Sequence, residues 1–404
     1  MTETRLHGLS LVERDRRWRA IRAEMERRGL DSLVIRGISS KWDSGTANIR
    51  YISQIGGNGE EAMAVFPLTE DPVVFIYGTS QIGWWKTAQD WVKDIRQGSP
   101  SWSRRTVEYL KELGHERGRI GVVGIGGQNL AGKCMIYEIY TEILDGLPDA
   151  HFEPASDILE SLRIVKSEEE IEYLRRAAEL CDVGIDAMLE AAKPGVKAHE
   201  VYGKMIGAVH CAGGESPMFL LYEADPHPFH ALRFPSDRPL EPGYMIVQEI
   251  APKFAGYWSQ AMVPVSLGEP PPLYRRLAEV AIEGYNEGIN AIRPGITRND
   301  LADAINRPIR EAGFTWYRPQ FGGLGLEQSE APNDVHFGDR GSDLRAYIPD
   351  HPPEIVLQEG MVIGMQPMAA TENRAEGMQV GDAVVVTKDG ARRLGKSPME
   401  LYVL

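Results

Sequence analysis

Apolar residues recur at helical spacing through residues 11–29, LVERDRRWRAIRAEMERRG, which predicts an amphipathic helix closed by Gly29. Four short unbroken apolar runs follow, in DSLVIRG, MAVFPL, PVVFIYG and RIGVVG, and RRTVEYLKELG reads as a helix among them. Runs this short and this rich in Val and Ile predict strands covered on both faces. Residues 1–160 are therefore expected to form an alternating α/β domain. GVVGIGGQ lacks the GxGxxG register and the acidic residue that a dinucleotide loop requires, so it is read as a turn.

A second domain, residues 161–404, opens with SEEEIEYLRRAAELCDVGIDAMLEAA from Ser167 to Ala192. Ser167 sits at an N-cap position, and the three glutamates after it complement the helix dipole. Beyond this helix the pattern repeats. AAKPGVKAHEVYGKMIGAVHCAGG from residue 191 matches AIRPGITRNDLADAINRPIREAGF from residue 291, an offset of 100. Each copy reads as helix end, Pro-Gly turn, helix and Gly stop, and each leads into apolar runs, YMIVQEI with MVPVSLG and then MVIGMQP with AVVVTKDG. Two copies are too few for a solenoid and predict a duplicated α+β half-domain about a pseudo-two-fold, with a site in the cleft between the halves.

The formal net charge of -14 disfavours nucleic acid and anionic lipid as partners. No window approaches 18 uninterrupted apolar residues and the first residues lack a signal-peptide core, so a cytoplasmic protein with no membrane partner is expected. Cys134, Cys181 and Cys211 form no CxxC pair and read as reduced structural thiols.

LRIVKSEEEIEYLRRAA, HALRFPSDRPLEPG, AGYWSQAMVPVSLG, LQEGMVIGMQPM and GDAVVVTKDG, in this order, resemble the interdomain helix and successive strand motifs of the creatinase/prolidase family. The resemblance implies an α/β N-terminal domain, a pita-bread C-terminal domain and a homodimer. In the family's metal-dependent members two Asp, one His and two Glu hold a pair of ions. Here the matching positions are Glu249, Gln260, Gly322, Gln366 and Gly381, and Ser329 stands for a second histidine, which leaves Glu330 as that motif's acid. Such a set lacks the ligand number and charge that two divalent cations need, so no metal and no cofactor are expected. The pattern is similar to the family's metal-independent branch, creatinase and ectoine hydrolase.

His230, in PHPFHALRFPSDRP, and Glu249, an acid within an apolar strand, are the expected catalytic pair. Imidazole exchanges protons near neutrality, and a buried carboxylate is costly without a purpose. Creatinase-like acids are replaced by Met262 and Gln366. Gln260, Gln366, Glu330 and Trp258 are expected to bind the substrate, with Glu327 and Asp382 as further acids. The resemblance implies that Trp42 and Trp84 wall the partner subunit's cleft. The expected activity is metal-independent hydrolysis of a C–N bond in a small non-peptide molecule. A lyase on the same scaffold and a non-catalytic binding protein are the alternatives, and a dipeptidase ranks last because the ligands are missing.

Overall fold

A computed structural model describes residues 6–129, 131–228, 234–316, 319–328, 330–333 and 354–404. The chain forms two compact units: Met1–Glu170 with Glu215–Pro217, and Ile171–Gly214 with Met218–Leu404. Among the described residues, no helix is long and apolar enough to cross a membrane.

The N-terminal unit opens with α1 (Leu11–Arg28). The Glu13 backbone N–H donates to Ser10 Oγ at its start, and Gly29 ends it with φ at 68°, where a side chain would be strained. Arg17 is buried on this helix between the carboxylates of Glu13 (2.7 Å) and Glu170 (3.0 Å), which satisfies a charge that burial would otherwise penalise. Strands β1 (Ser32–Gly37), β2 (Ala62–Pro67), β3 (Val73–Ile76), β4 (Asp94–Gln97), β5 (Arg119–Val123) and β6 (His151–Pro154) form a sheet in the order β4-β3-β2-β1-β5-β6. Helices α2 (Ala47–Ser53), α3 (Thr79–Ala88), α4 (Trp102–Glu112), α5 (Tyr137–Gly146) and α6 (Ser156–Ile164) complete the alternation that the apolar runs predict. Residues 68–72 are too short for a crossover, so β2 and β3 pair antiparallel, whereas β1–β5, β5–β6 and β3–β4 are parallel. Every residue of β1, β2 and β3 is buried, as the unbroken runs require.

The C-terminal unit contains α7 (Glu168–Ala191) beyond its first three residues, then α8 (Ala198–Cys211), α9 (Pro272–Ala291) and α10 (Arg298–Glu311). Its strands are β7 (Phe219–Asp225), β8 (Met245–Ala251), the hairpin β9 (Lys253–Phe254) and β10 (Tyr257–Trp258), β11 (Ala261–Met262), β12 (Val265–Ser266), β13 (Phe321–Gly323), β14 (Glu330–Asn333) and β15 (Val362–Met365). A second hairpin, β16 (Met368–Ala370) and β17 (Gly377–Gln379), precedes β18 (Gly381–Thr387), β19 (Gly390–Arg393) and β20 (Tyr402–Val403). The main sheet runs β14-β13-β15-β18-β11-β8-β12-β20, with β7 on β8 and β19 on β18.

The repeat is visible bond by bond. Gly195 and Gly295 both turn at positive φ, 89° and 95°. Gly195 N donates to Leu240 O and Leu240 N to Val196 O, while Gly295 N donates to Leu357 O and Leu357 N to Ile296 O. Glu200 accepts from the Lys197 backbone N–H and Asp300 from that of Thr297 at the same offset, and the Thr297 hydroxyl completes a capping box by accepting from the Asp300 N–H. Leu180, Ile185 and Met188 of α7, Val201 and Met205 of α8, and Ile246 and Ile250 of β8 share one buried core. Each such side chain contributes about 1.5–3 kcal/mol by leaving water.

Candidate active site

The face of a strand is decided by alternation. On β8, Ile246 and Ile250 join the core built with α7 and α8, so Glu249 points to the other face of the sheet. The β8–β11 register pairs Ile250 with Ala261, and continuing it sets Met262 opposite Glu249. Ala261 lies in the helix-side core, which puts Gln260 and Met262 on the Glu249 face.

Glu249 is 7% exposed and, among the described residues, accepts no hydrogen bond and meets no cation. Burial alone pushes its carboxyl up to about 7. It is therefore about half ionised near neutral pH, able both to take a proton and to give one. Gln260 Nε2 donates to Gln366 Oε1 at 2.6 Å, and Gln366 Nε2 donates to Pro319 O at 2.8 Å, so each amide orients the other. Trp258 is fully buried; its backbone N–H donates to Gly325 O, Lys253 Nζ lies 5.2 Å from its ring centroid, and its Nε1–H has no partner among the described residues. A buried donor left over in this way is one a bound acceptor completes. Glu330 is buried and accepts from the Glu327 backbone N–H at 3.2 Å.

Glu249, Gln260, Gln366, Trp258 and Glu330 thus all belong to the C-terminal unit. Trp42, half-buried with φ at 52°, and Trp84 belong to the N-terminal unit. His230 and Ser329 lie outside the described residues. Asp382 is a correction. It pairs in register with Ala261, faces α9, and accepts from Tyr285 Oη at 2.5 Å and from Arg393 Nη2 at 2.7 Å. Alternation turns it away from the Glu249 face and makes it part of an ion-paired clamp. Lys253, 1% exposed beside Trp258, is the residue that sequence reasoning missed; a lysine in the otherwise apolar QEIAPKF was the available signal.

The residues at the family's five ligand positions do not fit a pair of divalent ions. Gln260 and Gln366 are neutral and bonded to each other. Gly381 has φ at 153°, and a Cβ there would fall 1.9 Å from Met365 O, so the backbone closes this position to any ligating side chain. Among the described residues, no three His, Cys, Asp or Glu side chains converge as a metal site would require.

A model of metallopeptidase family M24 matches residues 172–388, and one of the creatinase/prolidase N-terminal domain matches residues 17–165. The Xaa-Pro dipeptidase of Pyrococcus furiosus is 29% identical over 255 residues, 62% of this chain and 68% of that protein. The creatinase of a Bacillus species is 24% identical over 408 residues, 96% of this chain and 92% of that protein. Among solved structures, the prolidase from Pyrococcus horikoshii OT3 superposes with a TM-score of 0.76 at 21% identity, covering 95% of this chain and 99% of that one. This likeness bears out the two-domain, pita-bread architecture. The expectation of a hydrolase stands, but its finer content does not. Relatives named dipeptidases overturn the non-peptide C–N substrate, along with the lyase and non-catalytic alternatives, and the match to a metallopeptidase family overturns the metal-independent activity tied to it. The substituted ligand positions do not separate the chain from this family, because the match runs through residues 172–388. Nor does the creatinase match single out a metal-independent branch, since prolidases match as well.

Proposed function

Because the chain belongs to metallopeptidase family M24, we propose that it hydrolyses the amide bond of a short peptide on the sheet face that carries Glu249. The observation behind this reading is the buried carboxyl of Glu249, without a partner among the described residues and raised to about 7. In its ionised form Glu249 takes a proton from water as the water oxygen bonds to the carbonyl carbon. In its protonated form it returns that proton to the amide nitrogen as the C–N bond breaks, leaving a carboxylic acid and an amine. The Trp258 Nε1–H is a donor available to a carbonyl oxygen of the bound peptide, and the Gln260–Gln366 pair presents neutral amides to its backbone.

The test is a panel of dipeptides, Xaa-Pro among them, with amino-acid release followed by chromatography. Glu249→Gln should lower kcat by about 10²–10⁴ and abolish an inflection of the rate near pH 7. A panel in which no dipeptide is cleaved, or a Glu249→Gln protein with full turnover, overturns the reading.

A further inference from the structure

A pocket of about 490 Å³ is built wholly within the N-terminal unit, behind the glycine-rich loop that precedes β2. Tyr77, Trp84 and Trp85 supply its aromatic walls, and Glu60, Gln81 and Glu215 its polar ones. Trp84 meets Trp85 edge to face with ring centroids 4.5 Å apart, yet Trp84 remains 47% exposed and Tyr77 61% exposed. Large rings left this open around a concavity mark a binding surface more often than idle packing.

The charge in the pocket is Glu60, which is 8% exposed. Its Oε1 accepts from the Tyr77 backbone N–H at 3.2 Å and its Oε2 from Trp85 Nε1 at 2.9 Å. The Gln81 amide nitrogen, turned toward the same carboxylate, lies 2.5 Å from Oε2. Among the described residues all of these donors are neutral, so they orient the carboxylate without cancelling its charge. Arg50 is not its counterion: that guanidinium pairs with Glu215 at 3.0 Å and with Asp43 at 3.4 Å. Backbone N–H groups of a glycine loop can also cradle an anion, but a buried carboxylate at the same pocket repels one.

We propose that this pocket binds an organic ammonium ion, with Glu60 balancing the charge and the rings of Tyr77, Trp84 and Trp85 holding the cation by their π surfaces. Cations over Trp and Tyr faces gain from the ring quadrupole, and a desolvated carboxylate nearby adds direct attraction. The proposal does not rest on the chemistry assigned to Glu249, and the loss of either reading leaves the other intact.

Choline and its neutral isostere 3,3-dimethylbutan-1-ol, titrated separately into the full-length protein by calorimetry and tryptophan fluorescence, test the proposal. Choline should bind saturably and the alcohol about tenfold more weakly or worse. Glu60→Gln, which keeps an acceptor for Trp85, should weaken choline about tenfold, and Trp84→Leu about threefold. Equal binding of alcohol and choline, a preference for acetate or phosphate, or no saturable choline binding overturns the proposal. Because Trp84 is exposed, Trp84→Leu and the isostere comparison decide the matter even where Glu60→Gln does not fold.

Discussion

Asp382 on β18 and Glu249 on β8 are both buried acids of one sheet, with β11 between their strands, and they face opposite sides of it. On the helix side, Asp382 has Tyr285 and Arg393 bonded to its two oxygens, so its charge is spent in holding α9 and β19 to the sheet. On the other side, Glu249 has no such partner among the described residues and carries the full cost of burial as a raised pKa. Burial by itself therefore does not distinguish a reactive acid from a structural one. The partners do: burial raises both carboxyls, but Arg393 and Tyr285 pull Asp382 back toward its charged form whereas nothing among the described residues opposes the rise at Glu249.

Crowding the backbone next to Asp382, and then breaking its partnered side, should have the largest effects on stability. Gly381→Ala, which forces a Cβ against Met365 O, is expected to cost about 3 kcal/mol or more, read as a lower midpoint in urea unfolding. Asp382→Ala strands the Arg393 guanidinium and the Tyr285 hydroxyl, and since Arg393 is about one-third exposed the cost should sit near the low end for buried pairs, about 3 kcal/mol.

The lone side should behave in the opposite sense. The folded-state pKa of Glu249 is raised, so the folded chain holds its proton where the unfolded chain has released it, and stability falls as pH rises from about 4.5 to about 7. At pH 8 the penalty amounts to about 3 kcal/mol, and Glu249→Gln should recover most of it and flatten the unfolding free energy over that pH window. A Glu249→Gln protein no more stable at pH 8 than at pH 5, relative to the parent, would show that Glu249 has a partner after all. The smallest effect belongs to Gln260→Leu, which leaves Gln366 Oε1 without its donor and should cost about 1 kcal/mol while raising KM more than it lowers kcat.

Much of this architecture was legible along the chain. The helix at 11–29 and the capped helix after Ser167 lie within a residue of α1 and α7, because cap residues and periodicity act locally. The hundred-residue repeat surfaced as paired Pro-Gly turns bonded alike in both halves. Glu249 stood out as an acid in an apolar strand. Asp382, by contrast, read as a candidate of the same kind, because which face a strand residue takes depends on register with a neighbour far away in sequence. Of the Glu60 pocket only Trp84 stood out along the chain, and with a different role: Glu60, Tyr77, Trp84 and Glu215 converge only once β2, α3 and a three-residue segment from further along the chain are assembled.

The sequence by itself determined the elements, the duplication and the neutral or absent side chains at four of the family's five ligand positions, since these follow from local pattern and residue identity. Only the tertiary structure decided which acids acquire partners. It turned Asp382 toward Arg393 and Tyr285, left Glu249 desolvated with no partner among the described residues, and closed Gly381 to any side chain, because charge compensation and steric exclusion depend on atoms brought together from strands and helices distant in the chain.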